Sequence, residues 1–137
     1  MTAAKAKSAK SSDPLHIALI LDDFYPASGG IGRSIQTQIN ELVHLGHKVT
    51  LLAPRHCLEK PNNCQTIVVP SIYISGMPTH SCIITQTSKT ARQVSRDHQF
   101  DIVHSQTERG GLFLAARIAK IQNIPHVHTF HGNLAGA

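Results

Sequence analysis

Tryptophan is missing from this chain, and aromatic residues make up 4% of its 137 positions. Nucleic-acid binding by base stacking needs aromatic platforms beside the basic side chains, so the composition argues against it. No apolar run approaches the roughly 18 residues of a membrane span. The cysteines, Cys57, Cys64 and Cys82, are odd in number and form no CxxC pair. Neither a disulfide framework nor a zinc knuckle is indicated, and inert thiols are expected. The Gly-Lys-Ser/Thr triplet of a P-loop does not occur. Acid is scarce too: 8 Asp and Glu against 13 Lys and Arg give a net charge of +5. Three of those cations, Lys5, Lys7 and Lys10, sit in the opening tract MTAAKAKSAKSS. The balance behind that tract is ordinary for a soluble domain.

What remains fits one domain by size. Residues 1–13 are expected to form a disordered basic tail, since nothing in them offsets the entropy of ordering. Its three lysines supply at most a weak attraction to anionic lipid. The first apolar block, LHIALIL at 15–21, follows Asp13 and Pro14 and precedes Asp22 and Asp23. No small-residue cleavage site follows, so a secretory signal is not expected. The expected location is cytoplasmic, with any membrane contact peripheral and at the inner face.

From His16 the pattern alternates strand and helix. His16–Leu21 is a short apolar run of the kind that forms a strand buried on both faces. Ile31, Ile35, Ile39, Leu42 and Val43 then mark one face of a helix that Gly46 ends. Val49–Ala53 is the next strand and Thr66–Val69 a third, with Ile72–Ile74 as a separate edge piece. Residues 85–98 carry a weak helical spacing in Thr87, Ala91 and Val94. Asp101–Ser105 is a strand, and Gly111–Ile121 a helix with Leu112, Ala115, Ala116 and Ala119 on its stripe. Asn123 and Pro125 stop that helix before a last strand, His126–Phe130. The pattern predicts an α/β fold: an open, mostly parallel, Rossmann-like sheet of order 3-2-1-4-5 with helices on both faces.

Ligands of such sheets bind beyond the carboxyl ends of the strands where the order reverses. The loops expected there are Asp22–Gly32 and Gln106–Gly111. The first contains Gly29, Gly30, Gly32 and then Arg33 at the start of a helix, a pattern that suits either an anion or simply a sharp turn. Gly30 and Gly32 begin a dinucleotide fingerprint, but Ile35 stands where the third glycine belongs and Ala53-Pro54-Arg55 replaces the ribose-binding acid. NAD binding is therefore the lesser alternative. Glu108 and Arg109 are either crevice residues or a solvated acid–base pair. His126 and His128 are expected on one face of the last strand as packed or edge histidines, with His131 facing the crevice. The histidines do not define a coordination geometry, and no metal is expected.

Two stretches carry a resemblance. HIALILDDFYPASGGIGRSIQTQINELVHLGHKVTLLAP and FDIVHSQTERGGLFLAARIAKIQNIPHVHTFHG resemble the opening strands and the fourth-strand-to-fifth-strand portion of glycosyltransferase family 4, retaining enzymes of GT-B fold. Ser105-Gln106-Thr107-Glu108 is most similar to members that glucosylate membrane diacylglycerol. The resemblance implies transfer of a sugar from a nucleotide-sugar donor to a sugar or lipid acceptor, with no cofactor. It implies that Gly29 and Gly30 lie near donor phosphates and acceptor, and that His131 approaches the transferred sugar as the catalytic residue. Residues 14–137 then correspond to part of the acceptor-side, N-terminal GT-B domain. The family's nucleotide-binding Glu pair and phosphate-contacting Arg-Lys set have no counterpart here, so the C-terminal domain is expected to be absent. A separate C-terminal half or a homo-oligomer is the expected partner, and the chain alone is expected to be inactive. A non-catalytic binding domain of the same fold is the alternative from a different class.

Overall fold

Polar and turn-forming residues bracket each apolar run, and those boundaries set the elements of the computed structural model, which describes residues 13–22, 30–55, 61, 63–73 and 82–130. The elements are β1 (His16–Ile20), α1 (Gly30–His44), β2 (Lys48–Pro54), β3 (Gln65–Val69), β4 (Ser71–Tyr73), β5 (Cys82–Ile84), α2 (Thr87–Asp97), β6 (Ile102–Ser105), α3 (Gly110–Gln122) and β7 (His126–His128). The basic tail expected at 1–13 falls almost wholly outside the described residues, as do Gly29 and His131.

The main sheet has the order β3-β2-β1-β6-β7, which is the predicted 3-2-1-4-5, and every pair in it is parallel. Side chains alternate across β1. Ile17, Leu19 and Leu21 pack with Ile35 and Ile39 of α1 on one face, whereas Ala18 and Ile20 pack with Val94 of α2 and Leu114 and Ile118 of α3 on the other. This α/β sheet with helices on both faces is Rossmann-like.

Both predicted helix stops are present. Gly46 sits at φ +95°, with its N–H on the Val43 carbonyl and that of His47 on the Leu42 carbonyl, the paired bonds of a Schellman C-cap. Asn123 closes α3 at φ 56°, a left-handed conformation that its short polar side chain tolerates.

Three expectations change. The edge piece near Ile72 is Ser71–Tyr73, paired antiparallel with Cys82–Ile84, a strand too short for its period to show in the sequence. The last strand ends at His128, not Phe130. The buried side of α3 is Gly110, Gly111, Leu114, Ala115, Ile118 and Ala119, so Ala115 and Ala119 lie where expected while Ala116 is exposed and Leu112 only half-buried. The two stripes have the same spacing, and the sheet takes the one bearing the bulkier Leu114 and Ile118.

Candidate functional site

The strand order reverses between β1 and β6, whose carboxyl ends lie side by side with Ile20 opposite Ser105. Two chain segments leave the sheet there, and they are tied to one another by side chains.

Asp22, the residue that follows Leu21 out of β1, is fully buried. Its Oδ1 accepts the Ile84 N–H at 2.7 Å and the Gly111 N–H at 3.1 Å. Its Oδ2 accepts the Thr107 hydroxyl at 2.5 Å and the Gly111 N–H at 3.0 Å. The Asp22 N–H donates in turn to Thr107 Oγ1 at 2.9 Å. The carboxylate lies at the start of α3, where the helix dipole and unpaired N–H groups favour a negative charge. It therefore acts as a cap supplied from 89 residues away.

The glycines of α3 permit this approach. A Cβ on Gly110 would stand 1.9 Å from the Ile84 carbonyl oxygen, and one on Gly111 would stand 3.0 Å from Thr107 Oγ1 and 3.2 Å from Asp22 Oδ2. Beside this clasp Gln106, also buried, exchanges amide hydrogen bonds with Gln38 of α1 at 3.1 and 3.4 Å. The loop after β6 is thus fastened to both β1 and α1.

Gly30 and Gly32 form the first turn of α1, and Arg33 follows them with its side chain exposed. Ile35, in the place of a third fingerprint glycine, is fully buried in the core. Glu108 is exposed, and its Oε2 meets His128 Nε2 at 2.6 Å, while Arg109 Nη1 donates to the Cys82 carbonyl at 3.1 Å. His126 and His128 do share a face of β7, and both rings reach Ser105 Oγ, at 2.8 and 2.7 Å. Burial, reinforced by the neighbouring His128, lowers the His126 pKa from its ordinary value. Gly29 and His131 lie outside the described residues. Among the described residues no three His, Cys, Asp or Glu side chains are grouped to hold a metal ion. Nor is any described helix long and apolar enough to cross a membrane.

On the α1 side of the sheet an open groove of about 470 Å³ is lined by Ser34, Thr37, Gln38, Glu41, Leu42 and His104, a size ordinary for small-molecule sites. Sequence reasoning missed Asp22, Thr107 and the Gln38–Gln106 pair. The available signal was an acid at the mouth of a buried strand and a Thr shortly before adjacent glycines, but nothing local joins them.

A family model described as Glycosyltransferase Family 4 matches residues 28–136. The alpha-monoglucosyldiacylglycerol synthase of Streptococcus pneumoniae is 30% identical over 118 residues, which is 85% of this chain and 26% of that protein. The chain thus spans about a quarter of the length of the curated relative it matches. Two crystal structures of the C-terminal domain of a Pyrococcus furiosus hydrogenase are similar, with TM-scores of 0.59 and 0.53, each at 14% identity. They cover 86% and 85% of this chain and 93% and 95% of their own. That likeness is one of fold alone.

Proposed function

This chain belongs to glycosyltransferase family 4, and from that premise we propose that it forms the acceptor-side part of a retaining transferase, which passes a sugar from a nucleotide-sugar to a diacylglycerol-type membrane lipid. One observation carries this. The glycine-bearing start of α1 and the loop holding Glu108 follow the two strands that meet at the reversal of the sheet, the place where open α/β sheets bind ligands. The lipid acceptor is supported by the name of the pneumococcal relative and by the Ser105-Gln106-Thr107-Glu108 stretch.

Departure of the nucleoside diphosphate builds negative charge on its phosphates. Backbone N–H groups at the start of α1 and the Arg33 guanidinium are the groups that answer such charge, and Gly29, Gly30 and Gly32 leave the backbone unshielded by side chains. His131 serves the transferred sugar, and Glu108 stands on the opposite loop of the crevice. A donor phosphate oxygen assists deprotonation of the acceptor hydroxyl on the same face, so the scheme uses no side-chain nucleophile and no cofactor. The nucleotide is held by a C-terminal half, in the same chain or supplied in trans. Without that half the two substrates are not aligned, and alignment supplies much of the rate. The protein works at the inner face of the membrane, where its acceptor resides.

The test joins residues 1–137 to the C-terminal part of the pneumococcal relative and supplies UDP-glucose with vesicles containing diacylglycerol. The expected product is monoglucosylated lipid with retained anomeric configuration. His131→Ala is expected to lower turnover at least about tenfold, a barrier change of roughly 1.4 kcal/mol, while leaving the fold intact. A hybrid that folds and binds UDP-glucose but makes no glycolipid overturns the proposal in favour of a non-catalytic binding domain.

A further inference from the structure

The parallel register of β6 and β7 sets Val103 opposite His126 and Ser105 opposite His128. His126 and His128, two residues apart, therefore share a face of the sheet with Ser105. The contacts form a row: His126 Nε2 to Ser105 Oγ at 2.8 Å, Ser105 Oγ to His128 Nδ1 at 2.7 Å, and His128 Nε2 to Glu108 Oε2 at 2.6 Å. Ser105 is fully buried, whereas the Glu108 side chain is 48% exposed, so the row runs from the sheet out to the crevice loop.

Counting protons orients every bond in the row while His128 is neutral. A carboxylate only accepts, and a hydroxyl carries one proton. When His128 is neutral, its single ring proton sits on Nε2 to meet Glu108. Its Nδ1 then accepts the Ser105 hydroxyl, and Ser105 Oγ accepts the Nε2–H of His126. When His128 is cationic, Nδ1 also carries a proton and donates to Ser105 Oγ. The hydroxyl proton, no longer held by His128, is then free to turn toward His126 Nε2, and where it does so that nitrogen is bare and the His126 proton resides on Nδ1. In this change His126 releases one proton to solvent from Nε2 and takes one up at Nδ1. The row as a whole gains the one proton bound by His128.

We propose that His128 is the positioning residue for Glu108, and that Ser105 passes the protonation state of His128 to His126 as a change of tautomer. The role of His128 in transfer rests on the assignment of Glu108 to the crevice, because His128 acts there only through that carboxylate. The buried side of α3 carries no ionisable group, His104 bonds Thr129 at 2.6 Å by its Nε2, and Arg109 Nη1 is directed to the Cys82 carbonyl. Burial and the nearby His128 hold the His126 pKa down, which favours an answer by tautomer over uptake of a second proton.

The experiment is long-range proton–nitrogen NMR of the histidine rings in the ¹⁵N-labelled 137-residue chain during acidification. The expected result is that His126 converts from the Nε2–H to the Nδ1–H form as His128 becomes cationic. In Glu108→Gln, on the surface and so without consequence for folding, the pH at which His128 becomes cationic is expected to move downward, because the carboxylate that accepts its Nε2–H is gone. The His126 conversion is expected to move with it by the same amount, as coupled equilibria require. In Ser105→Ala, His126 is expected to keep one tautomer throughout. A His128 midpoint that ignores Glu108→Gln overturns the positioning role. A His126 ring that never converts, or converts at an unmoved pH when His128 shifts, overturns the coupling. Neither readout depends on sugar transfer, so failure of the row and failure of the proposed activity are distinguishable.

Discussion

Asp22 and Thr107, 85 residues apart in the chain, hold each other by two hydrogen bonds: the Thr107 hydroxyl donates to the Asp22 carboxylate, and the Asp22 N–H donates to the Thr107 hydroxyl. The pair closes the carboxyl ends of β1 and β6 into one unit. Through Gly111 and Ile84 it also fixes the start of α3 and the end of β5. Both loops of the proposed crevice therefore leave from a shared anchor.

That anchor predicts a large, coupled loss of stability. Asp22→Ala leaves the Ile84 and Gly111 N–H groups and the Thr107 hydroxyl buried without an acceptor, and each such group costs about 1–3 kcal/mol. The expected loss in denaturant unfolding is at least about 3 kcal/mol. Thr107→Val alone is expected to cost less. The double variant is expected to lose less than the sum of the two, with a coupling of at least about 1 kcal/mol. Additive losses would show that the two side chains do not act as a pair.

The glycines separate a steric requirement from a conformational one. A Cβ on Gly46 would have no neighbour within 4 Å, but the residue holds φ +95°, so Gly46→Ala is expected to cost about 1–2 kcal/mol for backbone strain alone. Gly110→Ala drives a methyl into the Ile84 carbonyl and is expected to cost more, because backbone on both sides must separate. Urea midpoints of the two variants give the ranking, and equal midpoints would remove the close approach of α3 to β5.

Much of this architecture was legible before the structure. The strand order followed from apolar runs with sharp boundaries and from the handedness of crossovers, and Gly46 and Asn123 marked the ends of their helices. What stayed hidden depends on partners distant in sequence. Asp22 resembled any acid bounding a strand until its carboxylate met Thr107 and Gly111. His126 and His128 were placed on one face by their spacing, but their convergence on Ser105 depends on the register of β6 with β7. The stripe of α3 is legible in Ala115 and Ala119, but Leu112 and Ala116 on one flank and Leu114 and Ile118 on the other have the same period, and only the facing sheet chooses between them.

Acid should weaken the fold through its half-buried imidazoles. His16 Nδ1–H donates to the Gln99 carbonyl at 2.8 Å, and its Nε2 accepts the Thr50 hydroxyl at 2.7 Å. Burial lowers its pKa from 6.5, and burial likewise lowers that of His126. With the folded values below the unfolded one, the unfolded chain binds protons first as pH falls. Stability is then complete above about pH 6.5 and is lost as pH drops below it toward the folded values. The melting temperature is expected to fall between about pH 7.5 and about pH 5.5, with a shallower slope in His16→Gln. A melting temperature that rises over that interval would contradict the direction of both shifts.

The start of α1 gives a prediction in which binding and stability move in opposite directions. A helix N-terminus ordinarily favours acidic side chains, which answer its dipole. The first turn of α1 has none and carries Arg33 instead, a cation at the unfavourable end. That placement costs the free protein, and the proposed function gives it a use, since a donor phosphate would be shared between the guanidinium and the N–H groups of the helix start. Arg33→Ala is therefore expected to weaken UDP-glucose binding by the joined protein about tenfold, or roughly 1.4 kcal/mol, by calorimetric titration. The same substitution is expected to leave the unliganded fold unchanged or more stable by about 0.3–1 kcal/mol. A loss of stability with no loss of affinity would place Arg33 in the fold and outside the phosphate site.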